Sequence, residues 1–424
     1  MQHCKIPDTR TSMSRRSGHT YSCHALLVCL ALASTSFALR APWRISSDAT
    51  LHVEQLESRM FINSTDMARF RSMCGSNWHR LFLAWEQVQG RALSGDKATK
   101  LVVWRCPGRC GGLGDRQRGI LTSFTLALVT GRAFFIDSQH PVPLHRYFRL
   151  ANPNLHWIYN EQLLKGRSHN VESFSNAAPT IGDYASANLS LYDSFEVLIQ
   201  ENNYWRPFSI LNNPSMTHLQ PLKTFQEHTL AGCMLNYLLV PDHDIQLQIE
   251  TTRQSLEQAD KQMLAVQIRT GDSQAKNTTV LDSLCDIFQA CVNDIQKAHQ
   301  GRYRLFLTSD SEYVVERLSA NNGHVLQFAG EISHPDGQFG GQQNPDDSFR
   351  KLVLDHIMLS SADQLLISRS GFAEVAALRG FKPYYSPLQC VVGKPVPHYV
   401  FPLVNPLAVP AHDVQTVDEV FRLR

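Results

Sequence analysis

Several things are missing from this 424-residue chain. It has no apolar run approaching the ~20 residues of successive membrane spans, which excludes a polytopic membrane protein. It has almost no net charge. Forty Lys and Arg against 38 Asp and Glu leave +2, without the basic excess that a nucleic-acid binder uses to displace phosphate counterions. Charged residues make up only 18% and hydrophobic residues 43%, so the chain is too apolar to be disordered. Neither G-x-G-x-x-G nor the Gly-Lys-Ser/Thr of a P-loop occurs, so there is no support for dinucleotide or ATP binding.

What is present begins with an address. Lys5, Arg10, Arg15 and Arg16 face a single acid, Asp8, and no charged residue occurs from Ser17 to Leu39. Within that gap lies the apolar run Ala25–Ala33, followed by Ser36-Phe37-Ala38. This pattern fits a cleaved signal peptide, or an uncleaved signal-anchor with its basic end cytoplasmic. Asn63-Ser64-Thr65, Asn188-Leu189-Ser190 and Asn277-Thr278-Thr279 are sequons consistent with a lumenal body. Of 10 Cys, seven follow the leader. That odd number leaves at least one thiol free or paired between chains. Cys106 with Cys110, and Cys285 with Cys291, are the expected local pairs. Two cysteines at Cys106-x-x-x-Cys110 without further ligands make a poor zinc site.

The body alternates strand and helix. Leu101–Trp104 reads as a strand, Gly108–Gly114 as a glycine-rich turn, Gly119–Thr130 as a helix and Ala133–Ile136 as the next strand, a unit that implies a parallel sheet. Residues 140–240 show little periodicity. Later, Met263–Ile268, Tyr303–Leu307, His324–Phe328 and Gln364–Ile367 read as strands. Ser311–Ala320, Phe349–Ser361 and Gly371–Leu378 read as helices between or after them. Two α/β units around a cleft suit an enzyme that joins a nucleotide-linked donor to an acceptor. The expected divisions are a signal or anchor at 1–45, a stem at 46–99, an acceptor-side α/β domain at 100–245, a Rossmann-like donor domain at 246–400 and a tail at 401–424.

Open parallel sheets bind ligands beyond the carboxyl ends of their strands. There stand Arg269-Thr270-Gly271-Asp272, Thr308-Ser309-Asp310-Ser311 and Ser368-Arg369-Ser370-Gly371-Phe372, with Gly111-Gly112-Leu113-Gly114-Asp115-Arg116 in the first unit. An arginine at a strand end can bracket a diphosphate; it can equally pair with Asp272 or Asp310. The Ser309–Asp310 pair can cap a helix or bind a nucleoside. Backbone amides after Ser370 form an anion site or an ordinary helix cap.

Together these segments resemble the motifs of the fucosyltransferase-like proteins, which include plant xyloglucan fucosyltransferases, α1,6-fucosyltransferases and protein O-fucosyltransferases. The resemblance rests on Cys110–Ile120 with Thr130-Gly131-Arg132, on Val266–Asp272, on Thr308–Ser311 and on Ser368–Phe372 with Ala376, in order over residues 102–380. It implies a GT-B fold, two Rossmann-like domains facing across a cleft. It implies GDP-fucose as donor, a glycan or glycoprotein as acceptor, inversion at the anomeric carbon and no required metal or other cofactor. Arg269 would bind the β-phosphate, with Asp115 and Asp272 as the nearest catalytic acids. Ser309 and Asp310 would contact the nucleoside, Ser368, Ser370, Gly371 and Phe372 the phosphates, and Gly112, Gly114 and Arg116 the fucose and acceptor side. Such a protein would sit in the Golgi or ER lumen as a type II membrane protein with a single span, or be secreted after cleavage. Two other readings compete. Asp242-His243-Asp244 has the D-x-D form of a metal-dependent glycosyltransferase, and a binding protein that kept the fold without turnover would carry the same motifs.

Overall fold

In the computed structural model, the described residues are 64–75, 78–108, 110–173, 194–203, 227–271, 277–331 and 344–387, with Glu57, Met60, Tyr192, Ile210 and Asn213 besides. All belong to the compact unit Ile45–Arg424. The leader, the stem to residue 56, Asp272, the first two sequon asparagines and the tail lie outside them.

Two short helices open the body, α1 (Ser64–Cys74) and α2 (Trp78–Leu93). Then come β1 (Leu101–Cys106), α3 (Leu113–Thr130) and β2 (Ala133–Ser138). β3 (Phe148–Arg149), β4 (His169–Ser173), β5 (Val197–Glu201), α4 (Glu227–Leu238) and β6 (Val240–Pro241) follow. The second half runs α5 (His243–Gln258), β7 (Gln262–Ile268), α6 (Thr278–Ala298), β8 (Tyr303–Ser309) and α7 (Glu312–Asn321). It closes with α8 (Pro345–Ser361), β9 (Gln364–Ile367) and α9 (Gly371–Arg379).

Two parallel sheets organise these elements, in the orders β2-β1-β5-β4 and β8-β7-β9. β1 and β7 are central and buried on both faces, which is why each carries a continuous apolar stretch, Leu101–Trp104 and Met263–Val266. One core cluster joins Trp104, Phe124, Phe134 and Tyr237 with residues of α8 and α9. A second lies where Leu284, Phe288, Val292 and Ile295 of α6 cover β7 and β8.

Two sequence expectations need correcting. The helix after β1 starts at Leu113, not Gly119, and takes Gly114 and Gly119 into its body. Both glycines serve packing: a Cβ at Gly119 would collide with the Asn202 carbonyl and lie 2.5 Å from Trp104 Nε1. His324–Phe328 yields only the bridge Phe306–Leu326. His324 takes φ +53°, which interrupts an extended run before it starts.

Disulfides join Cys74 to Cys233 and Cys106 to Cys110, so the second of these bears out a sequence expectation. Cys285 and Cys291 do not pair. They sit six positions apart on α6, about 9 Å along its axis and beyond disulfide reach. Cys285 is free and buried, and Cys291 is disulfide-bonded elsewhere.

Candidate functional site

The carboxyl ends of β7, β8 and β9 open into a cleft of about 240 Å³, closed on the other side by the start of α3. A second cavity of about 270 Å³ adjoins it and shares Thr308, Ser309 and Lys351. Switch-point crevices of this kind are where doubly wound sheets bind ligands.

The turn after β7 is fixed by one carboxylate. Asp310 accepts from Arg269 Nη1 (2.6 Å), from the Thr270 amide (2.7 Å) and from the Gly271 amide (3.2 Å). Gly271 has φ +78°, a conformation that a side chain would strain. Ser368 Oγ accepts from the Arg269 amide (2.7 Å) and donates to Gln267 Oε1 (3.2 Å). Arg269 is therefore held at both ends, with its side chain still 28% exposed toward the cleft. Ser309 lines the cleft, yet its hydroxyl donates to the Ile268 carbonyl and accepts from the Ser311 amide.

Two helix N-termini meet across the cleft. α9 begins after Ser370, whose hydroxyl makes no capping bond to the first-turn amides. Such an end carries partial positive charge and open N–H donors suited to an anion. α3 begins after Gly112, whose amide donates to Asp115 Oδ2 (3.2 Å). The backbones touch at Gly114 and Gly371; a Cβ on Gly114 would fall inside the Gly371 carbonyl and 2.5 Å from the Phe372 nitrogen. Arg118 clamps the same junction, bonded to Glu374 of α9 and 3.5 Å from Asp115. Burial pushes the Glu374 carboxyl up, and the Arg118 guanidinium opposes that shift. Arg369 lines the cleft, is exposed, and makes no ion pair among the described residues.

The structure thus gathers Gly112, Gly114, Asp115, Arg269, Ser309, Asp310, Ser370, Gly371 and Phe372 around one cleft, with Ser368 just behind Arg269. Asp272 lies outside the described residues. Arg116 requires a correction, because it turns away from the cleft and is 1% exposed. It shares a helix face with buried Leu113 and Ile120, and its guanidinium donates to the carbonyls of Gly111 and His140. Sequence reading missed Lys351 and Asp355. Lys351 Nζ lies 2.6 Å from Asp355 Oδ2, which also accepts from Thr308 Oγ1 (2.9 Å). Burial pushes the Asp355 carboxyl up, and Lys351 opposes the shift. Their i, i+4 spacing on the anticipated helix was the available signal.

Asp242 of the D-x-D segment caps α5, accepting from the amides of Asp244 (2.6 Å) and Ile245 (3.2 Å). Among the described residues no group of three or more His, Cys, Asp or Glu is placed to hold a metal ion. No described helix is long and apolar enough to cross a membrane.

No family model and no curated protein matches the chain in sequence. Solved structures do match it. A mutant of Arabidopsis thaliana FUT1 in complex with GDP is 14% identical, with a TM-score of 0.54, over 81% of this chain and 80% of that one. The fucosyltransferase NodZ from Bradyrhizobium is 13% identical, with a TM-score of 0.40, over 66% of this chain and 91% of that one. NodZ α1,6-fucosyltransferase soaked with GDP-fucose gives 13% and 0.39 over 66% and 92%. The first likeness establishes the fold: the chain has the GT-B architecture, with two parallel α/β sheets.

Proposed function

We propose that this GT-B chain is an inverting glycosyltransferase that moves fucose from GDP-fucose to a glycan or glycoprotein acceptor. The observation that carries the reading is the convergence of Arg269 and the uncapped start of α9 on one cleft, in a fold shared with a FUT1 solved with GDP. Two negative phosphates need fixed positive partners, and the cleft supplies them without rearrangement.

In this reading the diphosphate lies between Arg269 and the amides following Ser370, with Arg369 at the rim. Arg269 donates to the β-phosphate. Asp310 and Ser368 hold Arg269 and its turn in place, so Asp310 acts on the donor through Arg269. The acceptor hydroxyl oxygen attacks the anomeric carbon from the face opposite the diphosphate. The carbon–oxygen bond to the β-phosphate breaks, its electron pair leaves with GDP, and the configuration inverts. The acceptor proton passes to Asp115, the described carboxylate on the α3 side of the cleft. Fixed donors aimed at developing charge supply the main stabilisation. No metal is required, because the guanidinium and helix amides already meet the leaving-group charge.

The leader fits a lumenal protein of the secretory pathway, held by a single span or released by cleavage. Asn277, exposed at the start of α6, is compatible with glycosylation there. Incubation of the purified protein with GDP-fucose and a glycan and peptide array tests donor, acceptor and activity together. Transfer from GDP-fucose in the presence of EDTA, with none from GDP-mannose, is the expected result. GDP-fucose binding without transfer or hydrolysis would overturn the enzymatic reading.

A further inference from the structure

A third cavity, of about 90 Å³, lies away from the diphosphate cleft, among α1, α5, α8 and the end of α9. Its walls include the apolar side chains of Met60, Ile249, Ile357 and Phe381. Arg379 also lines it, although that side chain is 4% exposed.

Arg379 is a buried cation without a counter-ion among the described residues. Nη1 donates to the Leu239 carbonyl (3.0 Å), and the guanidinium lies 5.7 Å from the Phe148 ring centre. Its position in the last turn of α9 adds the partial negative charge of a helix C-terminus. None of these engages Nε or Nη2, which have no hydrogen-bond partner among the described residues. Burial pushes Arg379 down to about 9, with no acidic group opposing the shift. A guanidinium with two buried, unpaired nitrogens is costly unless something charged meets it.

The rim is cationic as well. Arg253 and Arg69 enter the cavity, both paired with Asp66, at 2.6 and 3.4 Å. Glu250 is the other acid in the lining. Three guanidinium groups against two carboxylates leave a local positive excess directed inward.

We infer that this cavity is an oxyanion site, taking a small carboxylate or phosphate on Nε and Nη2 of Arg379 with Arg253 at the entrance. Those two N–H groups form the planar edge that binds two oxygens side by side. The space suits a small anion and is much smaller than the diphosphate cleft. The sites are also separate along the chain. Phe372 enters the cleft at the start of α9, and Arg379 enters this cavity about 10 Å further along the same axis.

Calorimetric titration of the full chain tests this, with sodium phosphate and sodium propionate as separate probes. Binding of at least one probe is expected, and it survives Arg269→Ala, which removes the strand-end cation of the cleft. Which probe binds identifies the anion as phosphate or carboxylate. Arg379→Met is expected to weaken binding at least about tenfold, through two charge-assisted hydrogen bonds. Because Arg379→Met risks misfolding, Arg253→Gln and Glu250→Gln are titrated too, the first expected to weaken and the second to strengthen binding. Binding lost with Arg269→Ala, binding unchanged by both rim variants, or no binding of either probe would overturn the proposal.

Discussion

Gly114→Ala perturbs the site through a single methyl group. Helix propensity alone favours alanine by at most about 1 kcal/mol at this second position of α3. Packing opposes it. The new Cβ would meet the Gly371 carbonyl group and lie 2.5 Å from the Phe372 nitrogen, all of them backbone atoms. Carbon contacts are comfortable at about 3.5–4.0 Å, so the two helix ends must part by roughly 1 Å. Overpacking costs about 1–3 kcal/mol when neighbours can adjust, and backbone at a helix start adjusts poorly. The upper end of that range less the propensity gain leaves a net loss of about 2 kcal/mol. The same displacement moves the α9 amides from their place at the cleft, and misplacement on that scale weakens GDP binding by about tenfold or more. Urea unfolding and calorimetric GDP titration read the two effects. Gly108→Ala is the control: a Cβ there meets nothing within 4 Å, and its stability change should stay within about 0.5 kcal/mol. If Gly114→Ala matched the wild type in both assays, the account of how the two halves meet would be refuted.

Other expectations test the surroundings. Burial, and then the Arg379 charge, hold His356 well below the usual histidine value, and the Phe372 backbone opposes them only in part. The unfolded chain therefore takes a proton near pH 6.5 that the folded one refuses, and stability falls as pH drops below that point. Between pH 7.5 and 5.5 this group costs the wild type about 1.4 kcal/mol, a loss absent from His356→Phe in urea melts at the two pH values. Lys351→Met strands the buried Asp355 carboxylate and should cost about 3–5 kcal/mol, much of it recovered in the double variant with Asp355→Leu. Replacing Cys74 and Cys233 by serine opens a loop of 159 residues, worth about 5 kcal/mol by loop entropy, against about 2 kcal/mol for Cys106 and Cys110. Denaturant midpoints under non-reducing conditions give that ranking.

The sequence shows the fold most clearly where strands are buried on both faces. β1, β7 and β9 are built on short apolar stretches, and the carboxyl ends of β7 and β9 lead directly to the cleft. β5 escaped notice because its apolar core, Val197-Leu198-Ile199, is short and lies in a stretch poor in periodicity, although it is central to its sheet. Arg116 was misplaced for a geometric reason. With the turn read as far as Gly114, it would face outward; with the helix starting at Leu113, it turns onto the buried side. The meeting of Gly114 with Gly371, across more than 250 positions, depends on how the halves pack, and no local pattern announces it. Lys351 and Asp355 showed their helical spacing but not their burial behind Thr308, which the return of α8 over β8 creates.

The central claim is that Arg269 meets the diphosphate of GDP-fucose as it leaves. The direct measurement is the rate of GDP release from GDP-fucose by wild type and by folded Arg269→Ala under the same conditions. Loss of one such donor typically costs about 2.7–4 kcal/mol of barrier, so the variant should be at least about a hundredfold slower. An Arg269→Ala protein with a native circular dichroism spectrum and an undiminished rate would contradict it.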